Sequence, residues 1–394
     1  MKTIFSVDQF KEFVSSVQSE NGYRNPIGFG ICRVDLGQNS GNVLQANYPV
    51  VNWGENLGSA AIFISALKES GVDVDFSGTE FVSEVSIDFI NSALAKFLPF
   101  IPETVGDKHR NIQVIEELRK NSDDLSSFRV AFIFEDEALK SVEATYLKLY
   151  ALSQKKAPLR SLNLNGAFGV LQNVAWVGNK PYELQYLRDN EIKLKMSGNY
   201  PNIDSVDKFP RFLQHIIPED NTRVLEASKV RMGASLAAGT TVMPGASYIN
   251  FNAGTTGVSM VEGRISSSAI VGDGSDVGGG ASILGVLSGT NGNPITIGEN
   301  CLLGANSVCG VPLADGGIID AGIAVLEGTK VTVSADEVAK LQSANPDFDF
   351  GGKTEFKASE LATVKGVHYR QNSKTGQIIA FRSVREIKLN EDLH

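Results

Sequence analysis

Glu262 and Arg264 stand two residues apart in the run Met260-Val261-Glu262-Gly263-Arg264. Side chains two apart on an extended strand share a face, so a carboxylate and a guanidinium would open into the same groove. A carboxylate there is a candidate for general acid–base work. A guanidinium can hold a carboxylate through two parallel hydrogen bonds. The plain alternative is a surface ion pair contributing about 0 to 1 kcal/mol.

Histidine does not compete for the role. The four histidines are His109, His215, His368 and His394, and none lies between Arg223 and Ala335. A zinc centre of three imidazoles is therefore not expected in that stretch, nor an imidazole base. Its other acids, Glu226, Asp273, Asp276, Glu299, Asp315, Asp320 and Glu327, read mostly as decoration of solvent faces and corners. The cysteines Cys32, Cys301 and Cys309 are too few and too irregular for a disulfide framework or a zinc ribbon, and read as small filler.

The elements that must position Glu262 are announced by glycine. It recurs every sixth residue at Gly298, Gly304, Gly310, Gly316, Gly322 and Gly328, and upstream at Gly233, Gly239 and Gly245 and again at Gly257 and Gly263. A helix turns in about 3.6 residues and a strand alternates on two, so a period of six belongs to a coil of higher order. Val224, Val230, Leu236 and Val242, and later Leu313, Ile319, Val325 and Val331, keep the same time and supply a stacked interior. The expected fold is a left-handed parallel β-helix of hexapeptide repeats over residues 223–335. The phase breaks between Gly263 and Gly272 and between Gly278 and Gly298, so a loop around Gly289, Thr290, Asn291, Gly292 and Asn293 must leave the coil. A purely structural coil is the bland alternative, against which such loops and charges argue.

Residues 1–105 read as an N-terminal α/β domain, with helices at 7–18 and 86–97 and strand-like runs at 27–34 and 60–64. Residues 106–222 read as a second α/β region, with helices at 111–120 and 137–154, a strand at 129–134, and a Pro-rich connector from Gly198 to Pro218. Residues 336–394 form a short C-terminal segment: a helical insertion beginning at Ser334, then a hairpin at 368–382 around Ser373, Lys374, Thr375 and Gly376. The chain has 394 residues, 42% of them apolar, enough for a substantial core. A net charge of −9 with no basic cluster excludes a nucleic-acid surface. No apolar run approaches a membrane span and the first residues lack a signal core, so a cytoplasmic enzyme is expected.

Known hexapeptide coils are mainly acyltransferases, which bind a thioester arm between subunits, or histidine-metal enzymes of the γ-carbonic anhydrase type, and the missing histidines favour the first. Longer matches sharpen this. Asn250-Phe251-Asn252-Ala253-Gly254-Thr255-Thr256-Gly257, Met260-Val261-Glu262-Gly263-Arg264-Ile265-Ser266, Val271-Gly272-Asp273-Gly274-Ser275-Asp276-Val277-Gly278-Gly279-Gly280-Ala281-Ser282 and Cys301-Leu302-Leu303-Gly304-Ala305-Asn306-Ser307 resemble the tetrahydrodipicolinate N-succinyltransferase family in its longer form. The resemblance is dense over residues 223–330 and weaker at Arg370-Gln371-Asn372-Ser373, and the first two hundred residues carry little of it.

The resemblance implies succinyl transfer from succinyl-CoA to the nitrogen of ring-opened tetrahydrodipicolinate in lysine and diaminopimelate biosynthesis, by a homotrimer with sites between subunits. It implies no tightly bound cofactor. A neighbouring alternative is an acetyltransferase using acetyl-CoA on a related amine. The family's catalytic acid falls on Glu262, as base or nucleophile. Arg264 would hold a substrate carboxylate, Gly279 and Ser282 would meet the thioester arm, and Ala305, Asp320, Ala321 and Gly328 would line the CoA channel. Arg370, Asn372 and Ser373 would reach that channel from the C-terminal segment. Some members bind magnesium between acids on the trimer axis, in stretches that here read Ser228-Lys229-Val230 and Met243-Pro244-Gly245-Ala246. A lysine stands in the first and no acid in the second, so no metal is expected.

Overall fold

The computed structural model describes residues 2–121, 124–286, 290, 292–384 and 389. The chain divides into two compact units, Met1–Ala151 with Ser161–Pro210, and Leu152–Arg160 with Arg211–His394.

The first unit is built on an antiparallel sheet in the order Val43–Asn47, Gly28–Leu36, Phe128–Ile133, Glu80–Glu84, with Asn52–Trp53 also paired to Gly28–Leu36. The helices Leu57–Glu69, Ile87–Phe97 and Arg110–Lys120 bury Phe63, Phe89 and Ile115 in one core with Phe29 and Phe132 of the sheet. The expected divide near residue 105 runs through this core, since Phe128–Ile133 pairs in register with Gly28–Leu36. The run Ala60–Ile64, expected as a strand, lies inside the helix Leu57–Glu69. All five of those residues are buried. A helix covered on every side loses its polar stripe, and a short apolar run then has no period to read. A smaller antiparallel sheet joins Lys180–Glu183, Val174–Val177 and Ser205–Asp207.

The second unit is a coil of short parallel strands stacked in three ladders. Successive strands visit the ladders in turn: Thr240–Val242, Tyr248–Ile249 and Gly254–Thr255, then Ser259–Val261, Arg264–Ile265 and Ile270–Val271, then Ser275–Val277, Ser282–Ile283 and Thr296–Ile297. The six-residue step is therefore one face of a three-sided turn. Inward positions are apolar and fully buried: Val242, Val261, Val277, Leu303 and Ile319 on one face, and Ile249, Ile265, Ile283, Cys309 and Val325 on the next. Register partners step from Met260 to Asp276, from Asp276 to Leu302 and from Leu302 to Ile318. The third of these turns is longer: coil hydrogen bonds run to Leu284, whose N–H donates to the Cys309 carbonyl, and are present again at Ile295, whose carbonyl accepts from the Ile270 N–H. Of the loop expected there, Thr290, Gly292 and Asn293 are described, and the Asn293 N–H donates to the Thr290 carbonyl at 2.8 Å. Gly289 and Asn291 lie outside the described residues.

Corner glycines mark where adjacent turns come too close for a side chain. A Cβ on Gly263 would collide with the Ala281 carbonyl oxygen, and one on Gly278 would lie 2.6 Å from that of Leu303. After the helix Ala335–Ala344 the chain forms a hairpin, Val367–Gln371 with Ile378–Arg382. Its first strand joins the coil as the next parallel turn, pairing Ile318 with His368 and Ile319 with Tyr369.

Candidate active site

Glu262 sits at a corner, between the strands Ser259–Val261 and Arg264–Ile265. Gly278-Gly279-Gly280-Ala281, Gly304-Ala305-Asn306-Ser307 and Asp320-Ala321-Gly322-Ile323 turn the same corner in the following turns. The Gly280 N–H donates to the Glu262 carbonyl, Asn306 N–H to Gly279 and Gly322 N–H to Ala305. These stacking bonds require a left-handed residue at each step, met by Gly280 at φ 72°, Asn306 at 57° and Gly322 at 76°. Glu262, Gly279, Ala305, Asp320 and Ala321 thus lie along one edge, which three turns carry over roughly 14 Å at the spacing of parallel strands.

The edge offers an acid and a row of donors. The Glu262 side chain is half-buried and, among the described residues, makes no ion pair or hydrogen bond within the chain. A Cβ on Gly279 would lie 3.5 Å from the Glu262 Oε2, so glycine leaves that side of the carboxylate open. The backbone N–H groups of Gly279, Ala305 and Ala321 likewise have no acceptor within the described chain. Unspent N–H groups beside an acid are what a developing oxyanion needs.

Arg264 and Ser282 open the face that follows the corner, as register partners in adjacent turns. Arg264 donates from Nε and Nη2 to Ser282 Oγ, at 3.2 and 2.6 Å. The expected shared face for Glu262 and Arg264 does not occur, and the two form no ion pair, because the chain bends at Gly263 between them. The guanidinium keeps Nη1 for a ligand, and the Ser282 hydroxyl keeps its proton to donate.

Beyond Ala321 the hairpin reaches the edge. Asp320 accepts from Arg370 Nε at 2.5 Å and lies 2.6 Å from His368 Nε2. Burial would raise the Asp320 carboxyl, but its bonds to Arg370 and His368 outweigh that and hold it below the usual carboxylate range. Asn372 and Ser373 form the hairpin turn just past Arg370, with Asn372 Oδ1 accepting from the Lys374 N–H. Gly328 lies at the far end of the same face, after the strand Ala324–Leu326, away from the Glu262 corner.

Two residues escaped the sequence reading. His368 lies outside the span 223–335 yet is carried into the coil by pairing with Ile318. Arg160 donates from Nε and Nη2 to the Ser268 and Ile295 carbonyls at 2.6 and 2.5 Å, and from Nη1 to Thr296 Oγ1 at 2.8 Å, pinning the place where the chain rejoins the coil. No sequence period signals either contact. In the stretches Ser228-Lys229-Val230 and Met243-Pro244-Gly245-Ala246, where no metal is expected, Lys229 Nζ donates to the Gly245 carbonyl at 2.7 Å and lies 3.6 Å from the Glu226 carboxylate. That set does not fit a divalent cation, which takes oxygen donors and no ammonium.

Residues 8–169 match the family model described as tetrahydrodipicolinate N-succinyltransferase N-terminal, residues 171–211 that of its middle region, and residues 294–327 the hexapeptide repeat of succinyl-transferase. A Sulfurovum sp. (strain NBC37-1) protein named 2,3,4,5-tetrahydropyridine-2,6-dicarboxylate N-succinyltransferase is 65% identical over 395 residues, covering all of both chains. A Campylobacter jejuni protein of the same name is 58% identical, over 98% of this chain and 99% of its own. A crystal structure from Campylobacter jejuni, described as a candidate 2,3,4,5-tetrahydropyridine-2-carboxylate N-succinyltransferase, superposes with a TM-score of 0.92 at 55% identity, over 98% of this chain and all of that one. The likeness extends through residues 8–211, well outside the motifs of residues 223–330.

Proposed function

The chain belongs to the tetrahydrodipicolinate N-succinyltransferase family, and from that premise we propose that it moves succinyl from succinyl-CoA to the nitrogen of ring-opened tetrahydrodipicolinate, yielding N-succinyl-2-amino-6-oxopimelate and CoA for lysine and diaminopimelate synthesis. The unclaimed carboxylate of Glu262, set against the bare Cα of Gly279, carries the assignment of the site.

The amine nitrogen bonds to the thioester carbonyl carbon, the carbon–sulfur bond breaks, and the departing thiolate ends with the proton the amine gave up. Glu262 serves this transfer as the base that relays the proton, or as a nucleophile that holds succinyl as a mixed anhydride until the amine arrives. The Gly279 N–H polarises the carbonyl. Arg264, steadied by Ser282, takes a substrate carboxylate on its free nitrogen. Ala305, Asp320, Ala321 and Gly328, with Arg370, Asn372 and Ser373, line the path of the CoA arm.

The coil is left-handed, and the protein works in the cytoplasm as a homotrimer with its sites between subunits. An exposed edge of a prism gives a thioester arm one wall, and a neighbouring chain supplies the second. No cofactor is tightly bound. No described helix is long and apolar enough to cross a membrane.

Steady-state turnover of tetrahydrodipicolinate with succinyl-CoA against acetyl-CoA tests the reading. The expected result is a clear preference for succinyl-CoA; equal or greater activity with acetyl-CoA would instead favour the acetyltransferase. Native mass should equal three chains of 42.3 kDa, and a monomer with full activity would remove the intersubunit site.

A further inference from the structure

An imidazole is held inside the wall of the coil where the neighbouring turns are content with aliphatic residues. His368 continues the outward column of Leu302 and Ile318, and its side chain is only 8% exposed. A leucine would fill such a place without polar atoms to satisfy, whereas a buried imidazole is costly unless it is hydrogen-bonded. His368 has a bond to make: its Nε2 lies 2.6 Å from Asp320 Oδ1. The other oxygen of that carboxylate accepts from Arg370 Nε at 2.5 Å. Phe381 backs both partners, its ring centroid 4.4 Å from that of His368 and 5.0 Å from Arg370 Cζ.

Arg370 is thereby fixed at two points, by the carboxylate on Nε and by the aromatic ring beneath its plane. Its side chain remains half-exposed, and Nη1 and Nη2 are left as a fork of donors. A guanidinium held in this way loses little rotamer freedom when an anion arrives, so more of the bond energy reaches affinity. His368 lies too deep to touch a ligand and acts on the carboxylate alone.

We infer that His368 is a positioning residue for the acyl donor, which acts through Asp320 to hold the Arg370 fork ready for an anionic group of the CoA moiety. The inference rests on the proposed acyl-CoA function. It gives Asp320 a different part from that of a channel-lining residue: its carboxylate is committed to two protein partners, and it meets the donor through Arg370.

The test compares His368→Leu with His368→Gln, whose amide nitrogen can reach the place of Nε2. Loss of one charge-assisted hydrogen bond is expected to raise KM for succinyl-CoA about tenfold in His368→Leu, with kcat and the acceptor KM within about twofold. His368→Gln should restore most of the loss. Arg370→Ala and the double variant Arg370→Ala with His368→Leu should be equally impaired, because His368 has no route to the donor once the fork is gone. Additive losses, a kcat that falls with melting temperature, or failure of His368→Gln to rescue would assign His368 to the wall alone and overturn the inference. Calorimetric titration of CoA separates this from the functional reading. Wild-type protein that does not bind CoA defeats both, whereas wild type and His368→Leu binding CoA equally well defeats this inference only.

Discussion

Arg264 gives two of its nitrogens, Nε at 3.2 Å and Nη2 at 2.6 Å, to the single hydroxyl oxygen of Ser282. The pair is set by register: the two residues face one another in adjacent turns, with Ile265 and Ile283 beside them buried inside the coil. Ser282→Ala removes the acceptor and leaves a mobile guanidinium, at little expense to an already exposed site. The expected outcome is a KM for succinyl-CoA or for the acceptor raised about three- to tenfold, with an unchanged melting temperature. Arg264→Lys should be as damaging as Arg264→Gln, because an ammonium cannot reproduce the planar fork. Steady-state kinetics on the three variants would decide it, and a lysine variant close to wild type would show that charge alone suffices.

Glu262→Gln tests the acid. The amide keeps the shape and the half-buried place but can neither take a proton nor attack a carbonyl. The expected loss in kcat is about a hundredfold or more, with thermal stability unchanged because the carboxylate has no partner to lose among the described residues. Activity kept within tenfold contradicts the role. Rapid acid quench of wild type mixed with succinyl-CoA alone distinguishes the two routes, since only the nucleophile leaves succinyl on the protein.

Gly263 and Gly279 predict opposite failures from the same alanine substitution. At Gly263 the added methyl meets the backbone of the next turn, at the carbonyls of Ala281 and Gly278, and backbone cannot step aside. Gly263→Ala should lower stability by about 1 to 3 kcal/mol, seen as a melting temperature several degrees lower. At Gly279 the near atom among the described residues is the Glu262 Oε2 at 3.5 Å, an ordinary contact. Gly279→Ala should melt like wild type and lose activity, because its methyl covers the open side of the acid. Equal melting temperatures for the two variants would mean that the corner is not packed as described.

The coil was legible because its period is strict: the residues spaced by six from Leu313 to Val325 occupy inward positions on successive faces and are buried in turn. Glu262 was legible as an acid beside a break in that period, and the helices expected at 7–18 and 86–97 stand at Val7–Gln18 and Ile87–Phe97, where the Ser6 and Ser86 hydroxyls accept from the first turn. What escaped had no local signal. Ala60–Ile64 lost its polar stripe to burial, and the strand Phe128–Ile133, expected at 129–134, joins the first sheet through a pairing about a hundred residues distant. The bend at Gly263 turned Glu262 and Arg264 onto different faces, which a two-residue spacing conceals. His368 entered the coil by long-range pairing with Ile318, so a count of histidines within the repeats could not include it.

Glu143 offers a test of the first unit that does not depend on catalysis. It opens the helix Val142–Ser153, is almost fully buried, and makes no side-chain ion pair among the described residues. Burial is the largest influence on its carboxyl and, with a smaller push from Glu80, raises it above the usual range against the opposing effects of its own backbone N–H and of Arg129. The folded state favours the protonated acid, so folding suffers no penalty at a pH low enough to protonate the group in both states. The penalty grows as pH rises from the ordinary carboxylate range through the raised folded value, and is complete above it. Glu143→Gln keeps the shape and removes the ionisation. The variant should therefore melt close to wild type near pH 4 and above it near pH 8, in scans of both proteins across that range. A variant less stable than wild type at pH 8 would show that the ionised carboxylate is held by a favourable contact, and that burial is not what governs it.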